Sequence, residues 1–365
     1  MKKYNLITAS LLTLGLTACG AQNTSTTNES TTAQVTSAPG APGTEPFWAY
    51  AGKTGIGTSY EQYQNGQYSD SAATGDVSKV WFSIAKGMIT ETMFGLIHQA
   101  QIKDMQFIVT GKDFTVSEAD DLDVTIDYLH KDAQGRPLSL AYKVTSTDKQ
   151  GRFSLEKHIF TDPDGQTLFV RSVFNTELEG LKAYVSVNPY INNNGLGDFA
   201  KTTEQGLVAW EDDNYLSLQS ATSFKDKTVG FTGESDGINA LKTTQSINTQ
   251  YTNTGDTAGN VSMLAELGDI SANTTFDLAL SFGKTQQQSI KQGEKSLAKG
   301  YQAVLDHYNG KGEALGWEDY LQSLKPLNKM IEQTADNGKL LYTSAMVLKA
   351  QEDKTHAGAL IASLS

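Results

Sequence analysis

The sequence predicts a mainly β protein, a large antiparallel sandwich of two sheets followed by a helical tail. Three observations carry that expectation. Between Thr44 and Phe282 the apolar residues alternate at period two in short runs, separated by turn residues. From Lys284 the spacing changes to the threes and fours of an amphipathic helix. So many strands with so little helix among them bury their apolar faces most simply as two sheets packed face to face.

The chain opens with an export signal rather than with fold. Lys2 and Lys3 supply a charged start, and Leu6 to Leu16 an apolar stretch too short to span a bilayer. Leu16-Thr-Ala-Cys19 reads as a lipobox, so residues 1–19 are predicted to be a lipoprotein signal peptide with Cys19 as the lipidated residue. Gly20 after the cysteine, rather than Asp, fits delivery to an outer membrane. The expected location is the cell envelope, with membrane attachment through the Cys19 lipid only. Cys19 is the sole cysteine, which leaves no thiol for a disulfide in the folded part. Residues 20–43 are mostly Thr, Ser, Ala, Gln, Gly and Pro with no apolar face, the composition of a disordered tether.

Net charge is −12, and loss of the two leader lysines would take it to −14. That balance disfavours nucleic acid and anionic membrane surfaces as partners. It suits an exported protein that meets neutral polymers.

Residues 44–283 form the predicted sandwich. Val80 to Ile84, Met105 to Val109, Val124 to Tyr128, Leu138 to Val144, Phe153 to Phe160 and Thr167 to Val173 read as strands. The turns between them carry Asp132-Ala-Gln-Gly135, Asp148-Lys-Gln-Gly151 and Asp162-Pro-Asp-Gly165, where Pro presets one backbone angle and Gly takes the positive one. Lys182 to Val187, Gly206 to Trp210, Tyr215 to Leu218 and Thr275 to Phe282 continue the series.

Within this region no motif carries chemistry by itself. Gly195-Leu-Gly-Asp-Phe-Ala200 fits G-x-G-x-x-A, but no strand precedes it and no helix follows, so it reads as a loop. Asp162 to Gly165 lacks the further ligands of a calcium loop, and Asp120, Asp121 and Asp123 read as a solvated acidic edge. The histidines His98, His130, His158, His307 and His356 show no metal spacing; His98 and His158 read as structural. There is no G-x-S-x-G, no P-loop and no nucleophilic cysteine. Phe47-Trp-Ala-Tyr50, Tyr60, Tyr63 and Tyr68 form an aromatic-rich stretch, expected to serve core packing or docking rather than sugar stacking.

Residues 284–326 are a predicted helical linker. Leu297, Tyr301, Val304, Leu305 and Tyr308 trace one stripe, Gly310 stops it, and Trp317, Tyr320, Leu321 and Leu324 mark a shorter helix. In residues 327–365, Leu341, Ala345 and Leu348 give a last helix an apolar face, Gly358 ends it, and Ala359 to Leu364 is an apolar run fit for burial. Inverting glycoside cleavage needs two opposed carboxyl groups with room for a water. Glu352 with Asp353, and Glu318 with Asp319, are sequence neighbours that point apart, and read as helix-ending groups. No catalytic residue, metal ligand or cofactor site is assigned.

The run LLYTSAMVLKAQEDKTHAGALIASLS resembles the opening of the catalytic (α/α)6 barrel of bacterial glucoamylases and glucodextranases. GTEPFWAYAGKTGIGTSY, the stretch from Ser78 to Gly111, FTDPDGQTLFVR, VNPYINNNGLGDFA and GFTGESDGINAL are similar to successive parts of the N-terminal domain of that family. The resemblance implies a β-supersandwich, two linking helices and the start of the barrel. It also implies an exo-acting, inverting α-glucosidase that releases glucose from non-reducing ends of α-glucans, with catalytic glutamates beyond Ser365. The 365 residues alone are therefore expected to be inactive. The alternative expectation is a complete, non-catalytic lipoprotein that binds carbohydrate or scaffolds a separate hydrolase.

Overall fold

The computed structural model describes residues 36–48, 50–64, 67–68, 77–119, 122–324, 326–356 and 358–364. The predicted lipobox with Cys19, the first part of the tether, Asp120 and Asp121 lie outside those residues.

Two eight-stranded antiparallel sheets form the body. The first runs Lys53–Thr58, Val80–Ala85, Met88–Phe94, Ile102–Gly111, Leu181–Pro189, Val261–Ile270 and Asp226–Phe231, with Phe114–Ser117 also on Ile102–Gly111. The second runs Phe199–Thr202, Gly206–Glu211, Asn214–Ser220, Thr274–Gly283, Thr167–Asn175, Ser154–Asp162, Tyr142–Asp148 and Leu122–Tyr128. The mainly β expectation and the two-sheet solution both hold. The turn at Asp162 to Gly165 closes a hairpin in which Asp162 pairs with Thr167.

Every second residue of each sheet points into one shared core. Phe82, Phe107 and Val185 of the first sheet meet Leu155, Phe169 and Leu280 of the second. Phe94 stacks on Phe282 across the gap at 5.5 Å between ring centroids, and Phe107 meets Phe174 edge-on at 5.9 Å. One ion pair also bridges the sheets. Lys157 donates to Glu118 and to the Gly87 carbonyl (2.6 Å), and Glu118 accepts from the Phe107 N–H and the Ser146 hydroxyl. Burial lowers the Lys157 pKa, and the Glu118 charge beside it opposes that.

The first sheet is buried on both faces along several strands, because separate pieces of chain cover its outer side. Helix Gly237–Thr244 sets Leu241 against Ile108, Tyr184 and Leu264. This helix is not among the expected elements. Its signals are Asp236, whose carboxylate accepts the Asn239 N–H, and the Ile238–Leu241 spacing. Residues 36–43, expected to belong to the tether, are seated on the sandwich instead. The Ala38 N–H donates to the Asn253 carbonyl, the Thr36 N–H to the Thr252 hydroxyl, and Ala38 is buried.

The outer face of the second sheet is covered by helix Gln286–Lys299. The predicted stripe from Gln286 to Tyr308 is two helices, since Gly300 (φ +81°) breaks it before Tyr301–Asn309. The buried face of the first is Ser289, Gly293 and Ser296, all small, so the backbone lies close to the sheet. Val304, Leu305 and Tyr308 of the second enter the main core. Helix Lys339–Ala350 packs beside the edge strand Lys53–Thr58. It buries Tyr342, Met346 and Ala350, while Leu341 and Ala345 are only partly covered and Leu348 is 67% exposed. The apolar face is thus rotated from the one predicted. The Ala359 to Leu364 run is exposed for most of its length and only Leu364 is buried, against Trp81, Met93 and Ile97. Among the described residues, no helix is long and apolar enough to cross a membrane.

Candidate functional site

Two constructions on the first sheet use residues that simple packing does not require. One is the seam at the end of the edge strand. Tyr308 Oη and Trp317 Nε1 both donate to the Thr58 carbonyl, at 2.9 and 3.0 Å. Tyr60 lies against Trp317 and Tyr320 at 5.9 and 5.4 Å. Lys354, fully enclosed, donates to Thr58 Oγ1, the Ser59 carbonyl and the Ser78 carbonyl at 2.7, 2.7 and 2.8 Å. Glu61 accepts the Ser78 N–H at 3.1 Å. Burial pulls the Lys354 pKa down to about 8 and pushes Glu61 up to about 7, each partly opposed by the other's charge. The seam fastens the chain after the last helix to the sandwich through the Thr58 hydroxyl and the Ser59 and Ser78 carbonyls.

The second construction is a groove of about 470 Å³ on the same sheet's outer side, between Trp48 and Tyr190 on one flank and Ile361 to Leu364 on the other. Trp48 rests on Tyr190 at 4.6 Å between centroids. A polar network under the sheet surface holds the Trp48 segment. The Tyr50 N–H donates to Glu91 (2.8 Å), Tyr50 Oη to Asp104 (2.8 Å), and Lys53 pairs with Glu91 (2.5 Å). Glu91 is fully buried and sits at φ +36°, beside a β-bulge between the strands Val80–Ala85 and Met88–Phe94. Burial raises the Asp104 pKa, with the Lys103 charge and the Tyr50 bond acting against it.

Residues 38–322 match the family described as glucodextranase, domain N. The chain belongs to that family. A curated glucoamylase of Clostridium sp. (strain G0005) is 34% identical over 339 residues, which cover 90% of this chain and 43% of that protein. A crystal structure of a bacterial glucoamylase complexed with acarbose is 30% identical with a TM-score of 0.76, over 90% of this chain and 45% of that one. The chain spans less than half the length of both relatives.

Within this glucodextranase N-domain fold the residues singled out from sequence find definite places. The G-x-G-x-x-A stretch is a loop leading into strand Phe199–Thr202, as expected. A Cβ on Gly195 would come within 2.5 Å of the Tyr190 ring, so glycine there lets the ring lie flat on the loop. Asp198 is buried; desolvation and the Glu211 charge raise its pKa. Asp162 and Asp164 sit in the expected turn, and their carboxylates are paired there. Lys299 bridges them at 2.8 and 2.9 Å, Ser296 donates to Asp162, and His307 lies 3.2 Å from Asp164. The His307 bond and Lys299 hold the Asp164 carboxyl well below the ordinary range. Among the described residues, no three His, Cys, Asp or Glu side chains cluster as a metal site.

His158 is structural as expected, contacting Tyr301 (2.7 Å) and Glu156 (2.8 Å), with burial lowering its pKa. His98 is exposed at the groove rather than buried, and its carbonyl accepts from the Asn193 side chain. Asp319 caps the helix Trp317–Ser323 through the Gly316 N–H, and Glu318 meets His130. Glu352 pairs with Lys349 and Asp353 accepts the Thr355 N–H, so these two end the helix and fix the next turn. Of the aromatic-rich stretch, Tyr60 docks the helices, but Phe47 and Trp48 are 56% and 41% exposed. No local sequence pattern marks the groove, whose flanks lie more than a hundred residues apart.

Proposed function

We propose that this chain supplies the β platform and leading helices of a lipid-anchored, exo-acting, inverting glucoamylase-type α-glucosidase. The observation that carries the reading is the 34% identity to a glucoamylase over 90% of this chain. The seam supports it: helices and sandwich share one core, so the platform fixes where the following chain departs. The carboxylate pairs Glu318–Asp319 and Glu352–Asp353 are spent on caps and ion pairs. The 365 residues on their own are accordingly proposed to be inactive, and Cys19 to carry the lipid.

The test compares two samples on maltoheptaose. The 365-residue chain should release no glucose. The native gene product, recovered with an antibody against the sandwich, should partition into detergent and release glucose one unit at a time. Glucose release by the 365-residue chain, or none by the native product, would overturn the reading.

A further inference from the structure

We propose that the edge where the two sheets end side by side is a strand-addition site, and that residues 36–44 occupy it as an extended peptide exchangeable for the same segment supplied in trans.

Strand Asp226–Phe231 is the last of the first sheet and strand Phe199–Thr202 an outermost strand of the second, and the two lie against each other. An unpaired strand edge is a row of free N–H and C=O groups, ready to template another stretch of chain. Residues 252–254 meet the edge of the second sheet. The Thr202 N–H donates to the Thr252 carbonyl and the Thr254 N–H to the Ala200 carbonyl, at 2.9 and 3.0 Å. Residues 36–38 add to that stretch in turn. The Thr252 N–H donates to the Thr36 carbonyl and the Ala38 N–H to the Asn253 carbonyl, both at 2.8 Å, and Ser37 bridges Asn253 in parallel. Residues 42–44 then close on the first sheet. The Asn260 N–H donates to the Pro42 carbonyl at 2.8 Å, and the Thr44 N–H to the Thr232 carbonyl at 2.9 Å. Main-chain bonds at both ends of a short extended segment are how peptides add to sheet edges.

The sandwich is shaped to receive this backbone. Asn260 is buried, and its side-chain oxygen accepts from Asn188 Nδ2 at 2.9 Å and from the Thr232 hydroxyl at 3.2 Å. Those bonds turn its amide nitrogen toward the Thr44 carbonyl, which it reaches at 2.9 Å. Both partners belong to the sandwich, so the donor is aimed whether or not the segment is present. Two glycines clear the path. A Cβ on Gly259 would lie 2.4 Å from the Pro42 carbonyl oxygen, and one on Gly233 2.3 Å from the Thr44 methyl carbon. The segment itself, Thr36-Ser-Ala-Pro-Gly-Ala-Pro-Gly-Thr44, carries no large side chain, and of its residues Ala38 alone is buried. Apolar burial therefore does not explain its seat. Its composition is that of a chain with no structure of its own, and the site supplies the order. The ligand chemistry follows: an extended peptide of small residues, recognised by its backbone.

The experiment uses the full 365-residue chain with a protease site inserted between Glu45 and Pro46, just past the last of these bonds. The folded chain is cut there and titrated with a fluorescein-labelled peptide of residues 36–45, followed by fluorescence anisotropy. Saturable capture is expected, with release of the original segment as the label enters. A peptide carrying Ala38→Pro and Thr44→Pro lacks the two N–H donors and should bind about tenfold more weakly or worse. That change is in the peptide, so it leaves the fold of the chain untouched. Gly259→Val in the chain should weaken capture of the unchanged peptide as much, with circular dichroism confirming the fold. No capture by the cut chain, equal capture of the doubly substituted peptide, or equal capture by a folded Gly259→Val chain would overturn the proposal.

Discussion

Lys354 shows how a single side chain fastens this molecule. Its ammonium is enclosed and hydrogen-bonded to three oxygens contributed from 276 to 296 residues earlier in the chain. Removing one partner from a buried polar cluster strands the others, so Lys354→Met should lower unfolding free energy by on the order of 3 kcal/mol in urea titration. Glu61 gives a pH test. Its carboxyl titrates near 7 in the folded chain, above its ordinary value of 4.5. Between those values the folded state holds a proton that the unfolded state has released, so this group's contribution to stability falls as pH rises through 7. Glu61→Gln keeps an acceptor for Ser78 while removing the charge. It should flatten stability between about pH 4.5 and 7 by up to roughly 3 kcal/mol, read from melts across that range. Neither role was legible in sequence, because the partners of Lys354 and the burial of Glu61 come from contacts across the fold. The helix-ending role of Glu352 and Asp353 was legible, since Lys349 and Thr355 lie within three residues of them.

At the scale of elements, local alternation served well where one face of a strand is solvated. Tyr142–Asp148 buries every second residue, Tyr142, Val144, Ser146 and Asp148, and its period of two is plain in the sequence. The first sheet was harder to read. Val80–Ala85 and Ile102–Gly111 are buried throughout, and their covers, among them Phe47, Tyr50, helix Gly237–Thr244 and Leu364, are remote in sequence. The helix Gln286–Lys299 misleads for a related reason, since its seat on the second sheet is small and polar rather than apolar. A Cβ on Gly293 would lie 1.9 Å from Gln219 Oε1 and 2.7 Å from Ser281 Oγ. Gly293→Ala, which would add about 1 kcal/mol in an exposed helix, should here cost about 1–3 kcal/mol in chemical denaturation. The helix Lys339–Ala350 gives a paired test of its rotated face. Met346→Ala should cost about 2–5 kcal/mol, whereas Leu348→Ala should change stability by about 0.5 kcal/mol or less. Equal losses would mean that the helix seats on Leu341, Ala345 and Leu348, as its spacing alone suggested.

Over the whole molecule, the main core joins both sheets with Val304, Tyr308, Trp317, Met346 and Ala350. Sandwich and helices are therefore one packed body rather than a platform with a loose linker. That unity was not legible from the composition change at Lys284, which looked like a boundary between domains. The fold class was legible, because strand periodicity and turn chemistry are local properties. The groove at Trp48 was not, since an aromatic-rich stretch reads more readily as core packing or docking. The proposal that this body belongs to an inverting glucosidase is tested by the anomeric configuration of the first product. Proton NMR of the native gene product acting on maltoheptaose should show β-glucose appearing first, with the α-anomer growing in only by mutarotation. α-Glucose as the first product, or no glucose at all, would contradict it.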